Sequence, residues 1–124
     1  MIPDLFPIFL SLLSKCAFVA LCIICHEFGH VLAARFHYVP VKKIGFNWMG
    51  AYIQRGRTTG WPEVSICMAG AAVNLALAIV FWDVNYWFAL CNLTFAWVNV
   101  LPIPHSDGSH ALEALRAMNQ RANA

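Results

Sequence analysis

The sequence predicts an α-helical membrane protein with three transmembrane helices, a short β-hairpin after the first, and a short amphipathic helix at the C-terminal end. Three observations lead there. Of the 124 residues, 60% are hydrophobic and only 11% are charged, where soluble domains carry about a quarter charged residues. Mean hydropathy is +0.63. Three stretches are long enough for a bilayer core, which takes roughly 20 apolar residues per helix. The length makes one domain, 1–124. A chain this apolar and aromatic is not disordered, and a net charge of +2 is too small to point to nucleic acid.

The first span covers residues 8–25, contains the single charge Lys15, and continues as helix to residue 36. The 1–7 segment has no basic residue, so a cleaved signal peptide fits poorly and the span is expected to be retained. Residues 41–55 do not read as helix. Gly45, Phe46, Trp48, Gly50, Tyr52 and Ile53 predict two short strands joined near 47–50. Trp61-Pro62-Glu63 then starts a helix, with proline in the first turn and an acid at the positive dipole end. The second span, 64–82, has no charge. The third, 84–104, is also uncharged but carries Asn85, Asn92, Thr94 and Asn99, and only Asp83 and its neighbours separate the two, so they form a tight antiparallel pair. Asn92 and Asn99, seven apart, share one face as an interior polar seam. Beyond it, Ala111, Leu112, Leu115 and Met118 recur at helical spacing opposite Glu113, Arg116 and Asn119, which predicts an amphipathic helix over 109–121 at the interface.

Basic residues orient the chain. Arg35, Lys42, Lys43, Arg55 and Arg57 lie between the first two spans, and Arg116 and Arg121 follow the third. The positive-inside rule places these segments in the cytoplasm and the N-terminus outside. Five cysteines, at 16, 22, 25, 67 and 91, all fall in apolar spans, and their odd number argues against a disulfide framework. Cys22 and Cys25 are read as small packing residues.

The first helix runs into His26-Glu27-Phe28-Gly29-His30, an HExxH motif. Histidines four apart lie about 6 Å apart along the axis on nearly the same face, so both imidazoles can reach one zinc ion. Glu27, beside the first, can take a proton from water that the ion activates. Ionisable groups at this depth are costly and mark function; the bland alternative is two interfacial histidines with a snorkelling glutamate. A third ligand is needed. Asp107 is the candidate, in a turn after Pro102 and Pro104 end the third helix on the same side. Asp-Gly is also a turn signal, so Asp107 could instead be an Asx-turn residue or a helix cap.

His26-Glu27-x-x-His30 at the end of an apolar helix, with Asn99-x-x-Pro102-x-x-x-x-Asp107-Gly108 after another, resembles the site-2 protease family of intramembrane zinc metalloproteases. The resemblance implies that His26, His30 and Asp107 hold one Zn²⁺ and that Glu27 is the catalytic base. The family's Gly-Pro-x-x-Asn pattern is matched by Gly70-Ala71-Ala72-Val73-Asn74, with Ala71 where proline is usual. Gly70 and Asn74 share a face, and Asn74 could hydrogen-bond a substrate carbonyl or oxyanion or simply tie helices together. Asn99 could orient the turn bearing Asp107 or touch substrate. His105 and His110 flank Asp107 and are read as supporting or surface residues; a histidine after Asp-Gly-x also resembles the family. His37 reads as an interface histidine, and Lys15 as snorkelling or facing a lumen.

The expected function is hydrolysis of a peptide bond in or near a transmembrane segment of a membrane-protein substrate, in a prokaryotic cell membrane. The alternative is a metal-binding but non-proteolytic adaptor or degenerate homologue. Helical substrates hide their peptide bonds. The strand around 50–54 could pair with an unwound segment or serve as a structural cover. Family members often carry further helices or regulatory domains; none fits within 124 residues, so selection falls to the core, a regulatory partner or a homo-oligomer.

Overall fold

The structure is a computed structural model that describes residues 2–47, 50–56, 58–104 and 106–123, with side chains left undescribed at 2–4, 46–47 and 50–54. Four helices and two strands follow in the order α1 (Ile2–Phe36), β1 (Val41–Asn47), β2 (Gly50–Arg55), α2 (Trp61–Phe81), α3 (Tyr86–Val100) and α4 (Asp107–Ala122). Among the described residues, two helices are long and apolar enough to cross a bilayer, α1 over Leu5–Phe36 and α2 over Trp61–Phe81.

Small residues make up most of the apolar interior: Cys22, Ala34, Cys67, Ala71, Ala78, Ala89, Ala96 and Ala111 are buried, beside the larger Val39, Ile66 and Phe88. Large apolar side chains point outward, among them Phe6, Ile79, Trp97 and Val84. Small interior and large exterior residues suit helices whose backbones approach closely in an apolar solvent. α1 and α2 approach closely at Gly29, where an added Cβ would come within 2.8 Å of the Ala69 carbonyl oxygen and 3.1 Å of the Gly70 Cα.

α1 ends in a Schellman motif. Val39 N–H donates to Ala34 O at 2.8 Å and Tyr38 N–H to Arg35 O at 3.1 Å, with Tyr38 at φ 59°. The accompanying apolar contact is the buried cluster of Ala34, Val39 and Ile66, which also ties the exit of α1 to α2. His37 lies inside this turn, its ring edge-on to Phe36 at 5.2 Å. Lys15, on the exposed stretch of α1, sits 4.5 Å from the centre of the Trp87 ring, a cation–π contact.

β1 and β2 pair antiparallel, from Val41 with Arg55 to Asn47 with Gly50, with an irregularity between Val41 and Lys43 that leaves Lys42 as an extra residue. Trp48, where the sequence places the turn, lies outside the described residues, as do Arg57 and His105.

α3 departs from the expected third span. It has 15 residues rather than the 21 of 84–104, about 22 Å at 1.5 Å per residue. Asn85 caps it late, its Oδ1 accepting from Phe88 N–H at 3.2 Å. Leu101, at ψ 140°, leaves the helix because the following Pro102 pushes its neighbour to extended backbone. α4 starts two residues earlier than expected, at Asp107. Its Gly108 lies against the end of α3, where a Cβ would overlap the Val100 carbonyl. Only glycine lets α4 dock there.

Candidate metal centre

Helical spacing on α1 puts His26 and His30 one turn apart, with ring centroids 4.6 Å apart. Gly70 on α2 makes room for both: a Cβ there would lie 2.6 Å from His26 Cε1 and 2.7 Å from His30 Nε2. Phe95 of α3 stands edge-on against His26 at 4.9 Å.

Each imidazole is held by its Nδ1. His30 Nδ1–H donates to the Ile66 carbonyl at 2.7 Å, and His26 Nδ1 contacts Asn74 Oδ1 at 2.8 Å. Both acceptors are oxygens, so the protons sit on Nδ1 and both Nε2 atoms present lone pairs. These face a third acceptor. Asp107 Oδ2 lies 2.8 Å from His26 Nε2 and 3.0 Å from His30 Nε2, and the two nitrogens are 3.0 Å apart.

Three lone-pair atoms converging on one point repel unless a cation sits among them. His26, His30 and Asp107 together could hold a metal ion. Tetrahedral ligands at zinc bond lengths stand about 3.3 Å apart, so the observed triangle fits zinc after opening by a few tenths of an ångström. Two imidazoles and a carboxylate are also a donor set that suits zinc while leaving a fourth position open.

Glu27 is half-buried and within electrostatic range of His30, His26 and Asp107. Asp107 does not cap α4. Ser106 does, its Oγ accepting from Ser109 N–H at 3.1 Å and donating to Leu101 O at 2.7 Å. The choice between cap and inward-facing carboxylate is thereby settled by the neighbouring residue.

Other expected site residues lie elsewhere or act differently. Asn74 is fully buried, and its Nδ2 donates to Cys22 O at 3.1 Å and Asn92 Oδ1 at 2.8 Å. With its hydrogens taken and its oxygen on His26, it has nothing to offer a substrate oxyanion. Asn99 Nδ2 donates to Phe95 O, one turn back on its own helix, at 2.8 Å. This half-buried amide hydrogen thus goes to its own helix rather than to the Asp107 turn. His110 lines a cavity of about 170 Å³ with Thr58, Glu63, Glu113 and Arg121, away from the histidine pair, and its Nδ1 is 3.8 Å from Glu113.

One buried ionic contact was not foreseen. Arg55, at the end of β2, forms a bidentate pair with Glu63 of α2, at 2.9 Å and 2.8 Å. Glu63 also accepts from Thr58 N–H at 3.3 Å. The acid expected merely to complement the helix dipole instead bolts the strands to α2. The lone acid of an otherwise uncharged helix, with Arg55 and Arg57 just before it in the sequence, was the available signal.

Known proteins show the same relationship. The sequence profile described as peptidase family M50 matches residues 15–86. Rip2 of Mycolicibacterium smegmatis, named as a zinc metalloprotease, is 36% identical over 100 residues, covering 68% of this chain and 39% of the relative. Zinc metalloprotease MJ0392 of Methanocaldococcus jannaschii is 28% identical over 121 residues, or 87% of this chain and 35% of the relative. This chain therefore spans well under half the length of the relatives it matches. The matched stretch carries both histidines, Glu27, Gly70 and Asn74 and covers more than half of the residues, and on that ground the chain belongs to peptidase family M50, the site-2 protease family.

Proposed function

We propose that the chain forms the core of a zinc-dependent endopeptidase that cleaves a membrane-protein substrate in or near a transmembrane segment. The observation that carries this reading is the triangle of His26 Nε2, His30 Nε2 and Asp107 Oδ2, all within 3.0 Å of one another, with the Glu27 carboxylate beside it. These three residues would hold one zinc ion. When bound, the ion supplies Lewis acidity that makes water nucleophilic near neutral pH. The protein's own part is acid–base work and positioning. A Glu27 carboxylate oxygen takes the proton from the attacking water and then delivers it to the leaving amide nitrogen. Ile66 O and Asn74 Oδ1 keep the two rings turned so that both Nε2 atoms stay convergent.

The depth of the site supports an intramembrane location. Ten residues separate His26 from the end of α1 at Phe36, about 15 Å of helix. In this reading α3 and its flanking residues form a third span, the N-terminus is outside, and 1–124 acts as one domain in a prokaryotic membrane. α3 is shorter than the roughly 30 Å hydrocarbon core, which sinks the turn bearing Asp107 below the cytoplasmic surface. Such irregular backbone is tolerated at depth when protein buries it. The edge of β2 is an available template for an unwound substrate strand, and a regulatory partner or a second copy could govern access.

Glu27→Gln tests the reading. Purified in detergent, the variant is expected to keep wild-type zinc content and to lose cleavage of an unwound transmembrane peptide by 10²-fold or more, about what a positioned base contributes. Cleavage at the wild-type rate would sink the mechanism. Zinc-loaded wild type with no activity on such peptides would favour the non-proteolytic adaptor.

A further inference from the structure

We infer that Asn92 on α3 is a positioning residue for the metal centre, acting through Asn74 to fix which nitrogen of His26 carries the proton. The inference rests on the zinc reading above and extends it to a helix that contributes no ligand.

The two ends of an asparagine amide are nearly alike in shape, so its direction is set by neighbours that act in one sense only. A backbone carbonyl is such a neighbour, because it accepts and never donates. The Phe88 carbonyl lies 2.9 Å from Asn92 Nδ2, so Asn92 turns its Oδ1 toward Asn74. The Asn74 Nδ2 meets that oxygen at 2.8 Å and the Cys22 carbonyl at 3.1 Å. Both hydrogens of Asn74 are then committed. Only its Oδ1 remains for the His26 Nδ1 2.8 Å away, and that nitrogen must carry the ring proton. His26 Nε2 is left with its lone pair facing Asp107 and His30.

The direction of the whole relay is thus imposed by two main-chain carbonyls, one on α1 and one on α3. Both asparagines are 0% exposed, so water does not compete for either amide. A plain interhelical hydrogen bond would end at the second asparagine. Here it continues to a ring whose other nitrogen belongs to the metal centre. Without Asn92, one hydrogen of Asn74 is orphaned away from water, and the amide loses one of the two contacts that set its direction.

The test measures zinc dissociation constants by chelator competition on the full chain in detergent, for wild type, Asn92→Leu, Asn74→Leu and the double variant. Removing an outer partner of a metal-bound histidine typically weakens metal binding about tenfold or more, and both single variants are expected to lose about tenfold. The double variant is expected to bind no more weakly than Asn74→Leu alone, because Asn92 acts only through Asn74. Excess zinc should restore cleavage by Asn92→Leu. A lowered thermal midpoint with unchanged zinc affinity, or losses that add in the double variant, would overturn the relay. If Asn92→Leu does not fold, Asn92→Ser carries the same expectations. Wild type that binds no zinc would overturn the zinc reading and the relay together, whereas zinc-bound wild type with unperturbed Asn92 variants overturns the relay alone.

Discussion

Two buried groups of ionisable side chains lie along the same stretch of α2, and they are built on opposite plans. Arg55 and Glu63 close on each other: two donors meet two acceptors, and Thr58 N–H adds a third donor to the carboxylate. His26, His30 and Asp107 present three acceptors to one another. The first group is complete in itself and serves as a fastening. The second is electrostatically unfinished, and that incompleteness makes it the better candidate for chemistry. Burial and charge alone do not separate the two; the direction of each hydrogen bond does.

The sharpest way to break this contrast is to leave the first group unfinished as well. Arg55→Met strands the Glu63 carboxylate, which is 6% exposed, and should lower stability by about 3–5 kcal/mol. Denaturant titration in detergent reads the loss, and zinc content of the folded fraction should stay at the wild-type level. Next in size, Gly70→Ala pushes a Cβ to within 2.6–2.8 Å of both imidazoles. It should weaken zinc at least tenfold, by chelator competition, and unchanged affinity would mean the rings do not pack against α2 as described. Ser106→Ala removes the α4 cap and should cost about 1 kcal/mol, with a smaller loss of zinc because Asp107 is less firmly placed. The smallest effect is expected from the double exchange Arg55→Met with Glu63→Leu. A buried pair replaced by apolar residues of similar volume is often neutral, so stability should return to within about 1 kcal/mol of wild type. A double variant that folds but binds no zinc would show that the pair belongs to the metal centre after all.

Much of the candidate metal centre was legible because its signals are local. His26 and His30 are a helical turn apart, and Asp107-Gly108 is a turn signal after two prolines. What was not legible depends on the third dimension. The Asn74 amide is committed to α1 and α3 at once, which no spacing within α2 reveals. Arg55 and Glu63 are eight residues apart across a strand, a loop and a helix start, where no periodicity applies. The length of α3 was misjudged for another reason: apolar residues continue past both its ends, and hydropathy does not see the Asn85 cap or the backbone constraint of Pro102. Gly29 occupies a variable position of the HExxH motif, so the motif does not show that its missing side chain is what lets α1 and α2 cross.

The contact between His30 and Asp107 joins residues 77 apart in the chain, and with His26 Nε2 the group draws two atoms from α1 and one from α4. A chain whose C-terminal helix has not yet docked owns only two donors, too few to hold a zinc ion in the manner described. On the proposed reading, hydrolytic competence would therefore wait until α4 docks. A copy in which α4 has yet to dock would, on the same proposed reading, leave the membrane proteins around it intact.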